Sequence, residues 1–260
     1  MEIRMDGRKA LITGGSLGLG RAMAARFVEA GAEVAIASRR AAVLDEAKAE
    51  ILAQTKGRVE TYPCDVADPE QIEELYRRAN ADLGQIDILV NNAGTSATGK
   101  FEEITDEEWQ ADLNLKLFAA IRLSRLAFPA MKRRRWGRII NVLNAHAKAP
   151  APNSAPTAVS RAAGMALTKV LAGEGAPHNV LVNALCTGLI VTDQWLQRQM
   201  RDHSDQTFEQ FTADVGKRVP IGRMGEAEEF ANAACFLASD AGSYITGTAI
   251  NVDGGLSPVV

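Results

Sequence analysis

The segment Thr13-Gly14-Gly15-Ser16-Leu17-Gly18-Leu19-Gly20 decides how this chain folds. An apolar run of strand length, Lys9–Ile12, leads into it. A segment with apolar residues at helical spacing, Ala22, Met23, Phe27 and Ala30, leads out of it. A strand that passes into a helix through glycines has the parts of a phosphate-binding loop. Gly14 can make the tight turn, Gly18 lets backbone approach a pyrophosphate, and Gly20 lets the helix pack close to the strand. The helix N-terminus then offers free N–H groups and a positive dipole end. The spacing is GxxxGxG rather than GxGxxG, with the same mechanical needs. The junction predicts a dinucleotide held by Gly14, Ser16, Leu17, Gly18 and Leu19.

The alternation continues outward from this junction. Strands are expected near Lys9–Ile12, Glu33–Ala37, Val59–Tyr62, Ile86–Asn91, Gly137–Leu143, Val180–Leu185 and Ala249–Val252. They are short and largely apolar, as strands covered on both faces should be. Helices are expected over Gly18–Ala30, Ala41–Gln54, Pro69–Ala81, Asp106–Lys132, Thr157–Gly173 and Glu226–Ser239. Gly31 is placed to stop the first helix, and Asp68-Pro69-Glu70 supplies a cap and a first-turn proline for the third. Strand–helix–strand alternation implies right-handed crossovers. The fold class is therefore α/β: a Rossmann-type, doubly wound parallel sheet of about seven strands with helices on both faces. No linker or repeat interrupts it, so residues 1–260 read as one NAD(P)-binding domain. The irregular stretch 192–225, polar around Trp195, Phe208 and Phe211, follows a strand end and reads as a substrate lid. The run Lys132-Arg133-Arg134-Arg135 reads as a solvated helix C-terminus, favoured by the dipole.

Composition limits the function classes. The 260 residues carry 29 Lys+Arg and 32 Asp+Glu, a formal net charge of −3, with 47% hydrophobic and 23% charged residues. Those are the proportions of a globular domain, and the acidic balance argues against nucleic acid as a partner. Cys64, Cys186 and Cys235 are far apart, with no CxxC pair and no histidine at ligand spacing, so neither a disulfide scaffold nor a metal site is expected. Met1–Gly7 lacks the apolar core of a signal peptide, and no stretch approaches a membrane span. A cytoplasmic protein with reduced thiols, no metal and no membrane contact is expected.

The end of the second strand bears on the cofactor. NAD-preferring sites place an acid there for the ribose 2′-hydroxyl, whereas NADP sites need positive charge for the 2′-phosphate. This strand ends Ala37-Ser38-Arg39-Arg40, with no acid before Asp45. Ser38 can donate to a phosphate oxygen and Arg39 can fork onto it. NADP(H) is the expected cofactor.

Taken together and in order, Thr13–Gly20, Asp65-Val66, Asn91-Asn92-Ala93-Gly94, Asn114, Gly137–Val142, Leu181–Ala184 and Gly247–Gly255 make the chain resemble the short-chain dehydrogenase/reductase family over nearly its whole length. The resemblance implies a nicotinamide cofactor, a small-molecule substrate and a homotetramer or homodimer. It places Asp65 and Val66 at the adenine, and Asn91, Ala93 and Gly94 along the adenosine ribose. Gly188, Leu189, Ile190 and Thr192 would face the nicotinamide. Thr187 stands where the family usually has proline.

The family's chemistry uses an Asn, a Ser, a Tyr and a Lys. By resemblance Asn114 takes the first position, Asn144 the Ser position, Thr157 the Tyr position and Arg161 the Lys position, so YxxxK becomes Thr157-Ala158-Val159-Ser160-Arg161. No tyrosine occurs between Tyr76 and Tyr244, so no local shift restores one. A threonine hydroxyl is a far weaker acid than a phenol, and an arginine cannot release its proton into a relay. Arg161 can still bond ribose hydroxyls, so cofactor binding should survive while ordinary carbonyl reduction loses its acid. His146, two residues past Asn144, is a candidate replacement acid–base. Two readings remain open: an NADP(H)-dependent oxidoreductase of altered mechanism, or a non-redox protein on the same fold, such as a sensor, an assembly partner, an isomerase or a lyase.

Overall fold

The computed structural model describes residues 3–260, so Met1 and Glu2, where the reading of the N-terminus begins, lie outside the described residues. Seven strands form the central sheet: β1 (Lys9–Thr13), β2 (Glu33–Ser38), β3 (Val59–Pro63), β4 (Ile88–Asn91), β6 (Gly137–Asn144), β8 (Val180–Thr187) and β9 (Ala249–Val252). Two further strands, β5 (Thr98–Gly99) and β7 (Ala155–Pro156), pair antiparallel apart from it. The sheet order is β3-β2-β1-β4-β6-β8-β9, and every pair in it is parallel. Sequence order reverses between β1 and β4, which opens a crevice at the carboxyl ends of the strands.

Helices α1 (Gly18–Glu29), α2 (Ala41–Gln54), α3 (Pro69–Leu83), α4 (Asp106–Leu113), α5 (Ala119–Arg134), α6 (Thr157–Gly175), α7 (Asp193–Asp202), α8 (Phe208–Gly216) and α9 (Ala227–Ala238) surround the sheet. Side chains alternate across each strand, so successive residues feed different layers. Ala10, Ile12, Val34 and Ile36 pack with Met23 and Phe27 of α1, Leu44 of α2 and Phe230 of α9. Leu11, Ala35 and Ala37 pack on the other face with Ile72 and Leu75 of α3 and Leu123 and Phe128 of α5. Burying a phenylalanine such as Phe27 or Phe230 contributes about 1.5–3 kcal/mol, which holds α1 and α9 against the strand end that carries the glycine loop.

The local punctuation follows the expected chemistry. Asp68 accepts from the Glu70 and Gln71 N–H groups at 2.9 and 3.3 Å, and Pro69 opens α3. The last turn of α5 is basic and solvent-facing at Arg133, Arg134 and Arg135.

Two segments differ from expectation. The single helix expected over Asp106–Lys132 is instead α4, a π-helical turn at Asn114–Phe118, and α5. A π turn admits an extra residue and rotates everything beyond it, and such turns gather at functional sites. The irregular stretch 192–225 contains two helices, α7 and α8, joined by an aromatic cluster in which Trp195 and His203 pack on Phe211. The β5–β7 ladder has two residues per strand, too few to leave a periodicity in the sequence. Among the described residues, no helix is long and apolar enough to cross a membrane.

Candidate active site

A cavity of about 1080 Å3 runs along the carboxyl ends of the strands. It exceeds the roughly 300–1,000 Å3 of an ordinary small-ligand pocket. One end is the glycine loop, with Gly14, Ser16, Leu17, Gly18 and Leu19 on its wall. The loop is braced from β4. The Asn92 side chain donates to the Thr13 and Gly14 carbonyls at 3.0 and 3.1 Å, and Thr13 Oγ1 accepts from the Asn92 and Ala93 amides. A β-carbon at Gly20 would collide with the Gly14 carbonyl oxygen, so only glycine lets α1 begin this close to the turn. The cradle thus has backbone on both sides and the helix N-terminus between them, where the Asp193 carboxylate accepts the Gly18 N–H at 3.0 Å.

Beyond the loop, Ser38, Arg39 and Arg40 line the cavity, with Arg39 solvent-exposed. Asp65, Val66, Ala93 and Gly94 continue the wall, and Gly188, Leu189, Ile190 and Thr192 form the far side. Asn91 is not on the wall. It is buried and donates to Asn141 Oδ1 at 2.9 Å, tying β4 to β6.

The other end of the cavity holds Asn144, His146, Thr157 and Arg161. Asn144 closes β6, and its Oδ1 is buried without a hydrogen-bond partner among the described residues. His146 follows on a 3-10 turn, Ala145–Ala147, exposed between two buried alanines. Arg161 lies one turn into α6 and donates from Nη1 to the Val142 carbonyl at 2.7 Å. Its Nη2 occupies the space a side chain at position 94 would need, which is why Gly94 is glycine. Burial pushes the Arg161 pKa down to about 10, with the Asp112 carboxylate opposing the shift.

Thr157 begins α6, and its hydroxyl is fully engaged. It donates to the Ala97 carbonyl at 2.7 Å and accepts from the Ala97 amide at 3.0 Å and from Lys116 Nζ at 2.6 Å. Lys116 and Asp112 form a buried ion pair. Asp112 Oδ2 also accepts from Ser160 Oγ at 2.6 Å. Burial lowers the pKa of Lys116, while its contact with Asp112 works the other way.

Lys116, Asp112 and Ser160 are absent from the sequence-derived site, and Asn114 does not join it. Asn114 accepts from Gln110 Nε2 at 3.0 Å and is not on the cavity wall. Two residues later, inside the π turn, Lys116 makes the contact with Thr157. A signal was present: Asp112 and Lys116 are an acid–base pair at i, i+4, set among Leu113, Leu115 and Leu117, as a buried pair would be. Leu256, Ser257 and Pro258, near the end of the chain, also reach the wall. The three tyrosines do not. Tyr62 donates to Asp82 at 2.7 Å, Tyr76 packs in the core, and Tyr244 is exposed.

A doubly wound sheet with a glycine cradle at its switch point and a polar, partly buried cluster at the opposite end of one cavity defines a dinucleotide-binding α/β protein. The family described as enoyl-(acyl carrier protein) reductase matches residues 14–257. The 3-oxoacyl-acyl-carrier-protein reductase of Thermotoga maritima is 33% identical over 98% of this chain and 99% of its own length. The L-sorbose reductase of Gluconobacter frateurii, complexed with NADPH and L-sorbose, is 34% identical and covers all of both chains at a TM-score of 0.94. A short chain oxidoreductase of Pseudomonas aeruginosa PAO1, NADPH-bound and containing an atypical catalytic center, is 35% identical over 99% of each chain at a TM-score of 0.91. The chain belongs to the short-chain dehydrogenase/reductase family.

Proposed function

We propose that this protein is an NADP(H)-dependent oxidoreductase that reduces a small carbonyl-like substrate without the family's usual tyrosine. The observation that carries the reading is one continuous cavity with Gly14–Leu19 at one end and the Asn144, Thr157 and Arg161 cluster at the other. The chain binds NADP(H): the backbone amides at the start of α1 suit the phosphates, Ser38 and Arg39 suit the 2′-phosphate, and two of the similar structures hold NADPH. Asp65, Val66, Ala93 and Gly94 would hold the adenosine half, and Gly188, Ile190, Thr192 and Arg161 the nicotinamide half. The segment 192–225 acts as a substrate lid on a single dinucleotide-binding unit. The proposed assembly is a homodimer or homotetramer, as the family resemblance implies, and three buried, unpaired cysteines suit a reducing cytoplasm.

When bound, the cofactor supplies a hydride to the carbonyl carbon. The protein's part is to hold the carbonyl and deliver a proton to its oxygen. Asn144 takes the place of the orienting hydroxyl. Thr157 can serve only if its hydroxyl turns from the Ala97 carbonyl toward the cavity. Lys116 then replaces the proton that Thr157 gives up, and desolvation favours that release by disfavouring the ammonium form. His146 is the competing donor, already on the wall and open to solvent. The engaged Thr157 hydroxyl also favours a second reading, in which the chain binds NADP(H) without redox turnover.

Titration of NADPH by fluorescence, followed by absorbance loss across ketones, aldehydes, imines and activated alkenes, tests these readings. Turnover lost in Thr157→Ala and retained in His146→Ala supports the threonine path, and the reverse pattern gives His146 the role. Binding without turnover on any substrate leaves the non-redox reading.

A further inference from the structure

The carboxylate of Asp193 sits on the anion-binding end of the glycine loop. Its Oδ2 accepts the Gly18 N–H at 3.0 Å. Gly18 is the first residue of α1 and has a left-handed backbone, φ 51°, so its amide belongs to the set that a helix N-terminus turns toward phosphate. Asp193 is in turn the first residue of α7. Thr192, just before it, packs against Gly18, with its Cβ and Cγ2 both 3.2 Å from where a β-carbon at Gly18 would lie. The next residue, Gln194, donates to the Gly94 carbonyl at 3.4 Å, across the cavity mouth. Trp195, Gln197 and Arg198 of the same helix line the cavity. One acidic side chain therefore joins the helix over the substrate end to the loop that receives the cofactor's phosphates.

A pyrophosphate and an aspartate carboxylate are both anions that accept hydrogen bonds from backbone amides. They compete for the same N–H groups and repel each other when close. We propose that Asp193 is an internal phosphate mimic that latches α7 to the glycine loop, and that the phosphates of NADP(H) displace it and free α7. Cofactor binding is thereby coupled to the placement of Trp195 and Arg198 on the cavity wall. The coupling rests on the reading that NADP(H) lays its phosphates on Gly14–Leu19. In the other direction, whatever holds α7 down must weaken cofactor binding by the same factor, because linkage is reciprocal.

Asp193→Asn tests the latch in the full-length protein. The amide oxygen can still accept from Gly18, so the fold is kept while the charge is lost. The variant should bind NADPH about tenfold more tightly, the effect of removing one like charge from a partly solvated anion site. Hydrogen exchange gives a second readout. In the wild type, NADPH should slow exchange over residues 14–20 and speed it over residues 193–202, and inorganic pyrophosphate alone should do the same. In Asp193→Asn, residues 193–202 should exchange faster than in the wild type before any cofactor is added, because a neutral amide oxygen holds the Gly18 N–H less tightly than a carboxylate. Equal or weaker NADPH binding by the variant overturns the latch, as does protection of 14–20 with unchanged or slower exchange over 193–202. If NADPH leaves residues 14–20 unprotected, the placement of the cofactor and the latch fall together.

Discussion

Lys116 Nζ lies 2.6 Å from Thr157 Oγ1 while pairing with the buried Asp112 carboxylate, so the threonine that opens α6 is joined to a buried cation. Neither charge of the pair is solvated: the Lys116 and Asp112 side chains are 1% and 2% exposed. Two charges removed from water survive only through each other and their hydrogen bonds.

Lys116→Met should therefore destabilise the fold by about 3–5 kcal/mol, because it strands a carboxylate with Ser160 as its remaining close donor. The double variant Asp112→Asn/Lys116→Met should recover most of that loss. Urea unfolding of the three proteins checks the sign. Near-equal stabilities of wild type and Lys116→Met would mean that water reaches Asp112.

The same pair sets a pH dependence. Burial disfavours the Lys116 ammonium and lowers its pKa below 10.5, with Asp112 offsetting part of the effect. Between the folded value and 10.5, the unfolded chain then holds more protons at this site than the folded one. Stability relative to the Asp112→Asn/Lys116→Met reference should rise with pH through that window and stay flat below it. Unfolding free energies measured from neutral to alkaline pH test this. A difference that shrinks toward alkaline pH would mean that Asp112 outweighs burial.

Arg39 is exposed on the cavity wall beside Ser38 and should serve the 2′-phosphate alone. Loss of a charge-assisted hydrogen bond costs about 1.5–3 kcal/mol. Arg39→Gln should thus weaken NADPH binding about 10–100-fold and leave NADH binding unchanged. Fluorescence titration with both cofactors measures the ratio. A variant that loses both equally would place Arg39 in the fold rather than in cofactor choice.

The sheet was legible because burial on both faces writes itself into short apolar runs, and the glycine loop because backbone approach excludes every other residue at Gly20. The end of the cavity that holds Thr157 and Arg161 was legible only in part. Thr157 and Arg161 stand on the regular helix α6, where spacing translates directly into position. Asn114 and Lys116 stand in a π turn, where one extra residue per turn changes which side chain meets Thr157. Helical spacing carries no mark of that turn. Asp193 was hidden for a different reason: its partner, Gly18, is 175 residues away and contributes only a backbone N–H.

The proposed alteration of the site can be tested by installing the pattern that the resemblance implies. Thr157→Tyr, Arg161→Lys and Asn144→Ser together should produce measurable NADPH-dependent carbonyl reduction. The phenol would enter next to two cations, Lys116 and the new lysine, both of which lower its pKa toward the working range. A positioned acid of this kind is typically worth about 10²–10⁴-fold in rate. The gain should be tempered by a loss of stability, because the Thr157 hydroxyl ties Ala97 to α6 through two hydrogen bonds and accepts a third from Lys116. Activity should therefore be measured alongside NADPH affinity and thermal unfolding. A folded, NADPH-binding variant without activity on the ketone and aldehyde panel would mean that the shape of the cavity around Thr157, rather than the lack of a phenol, excludes those carbonyls.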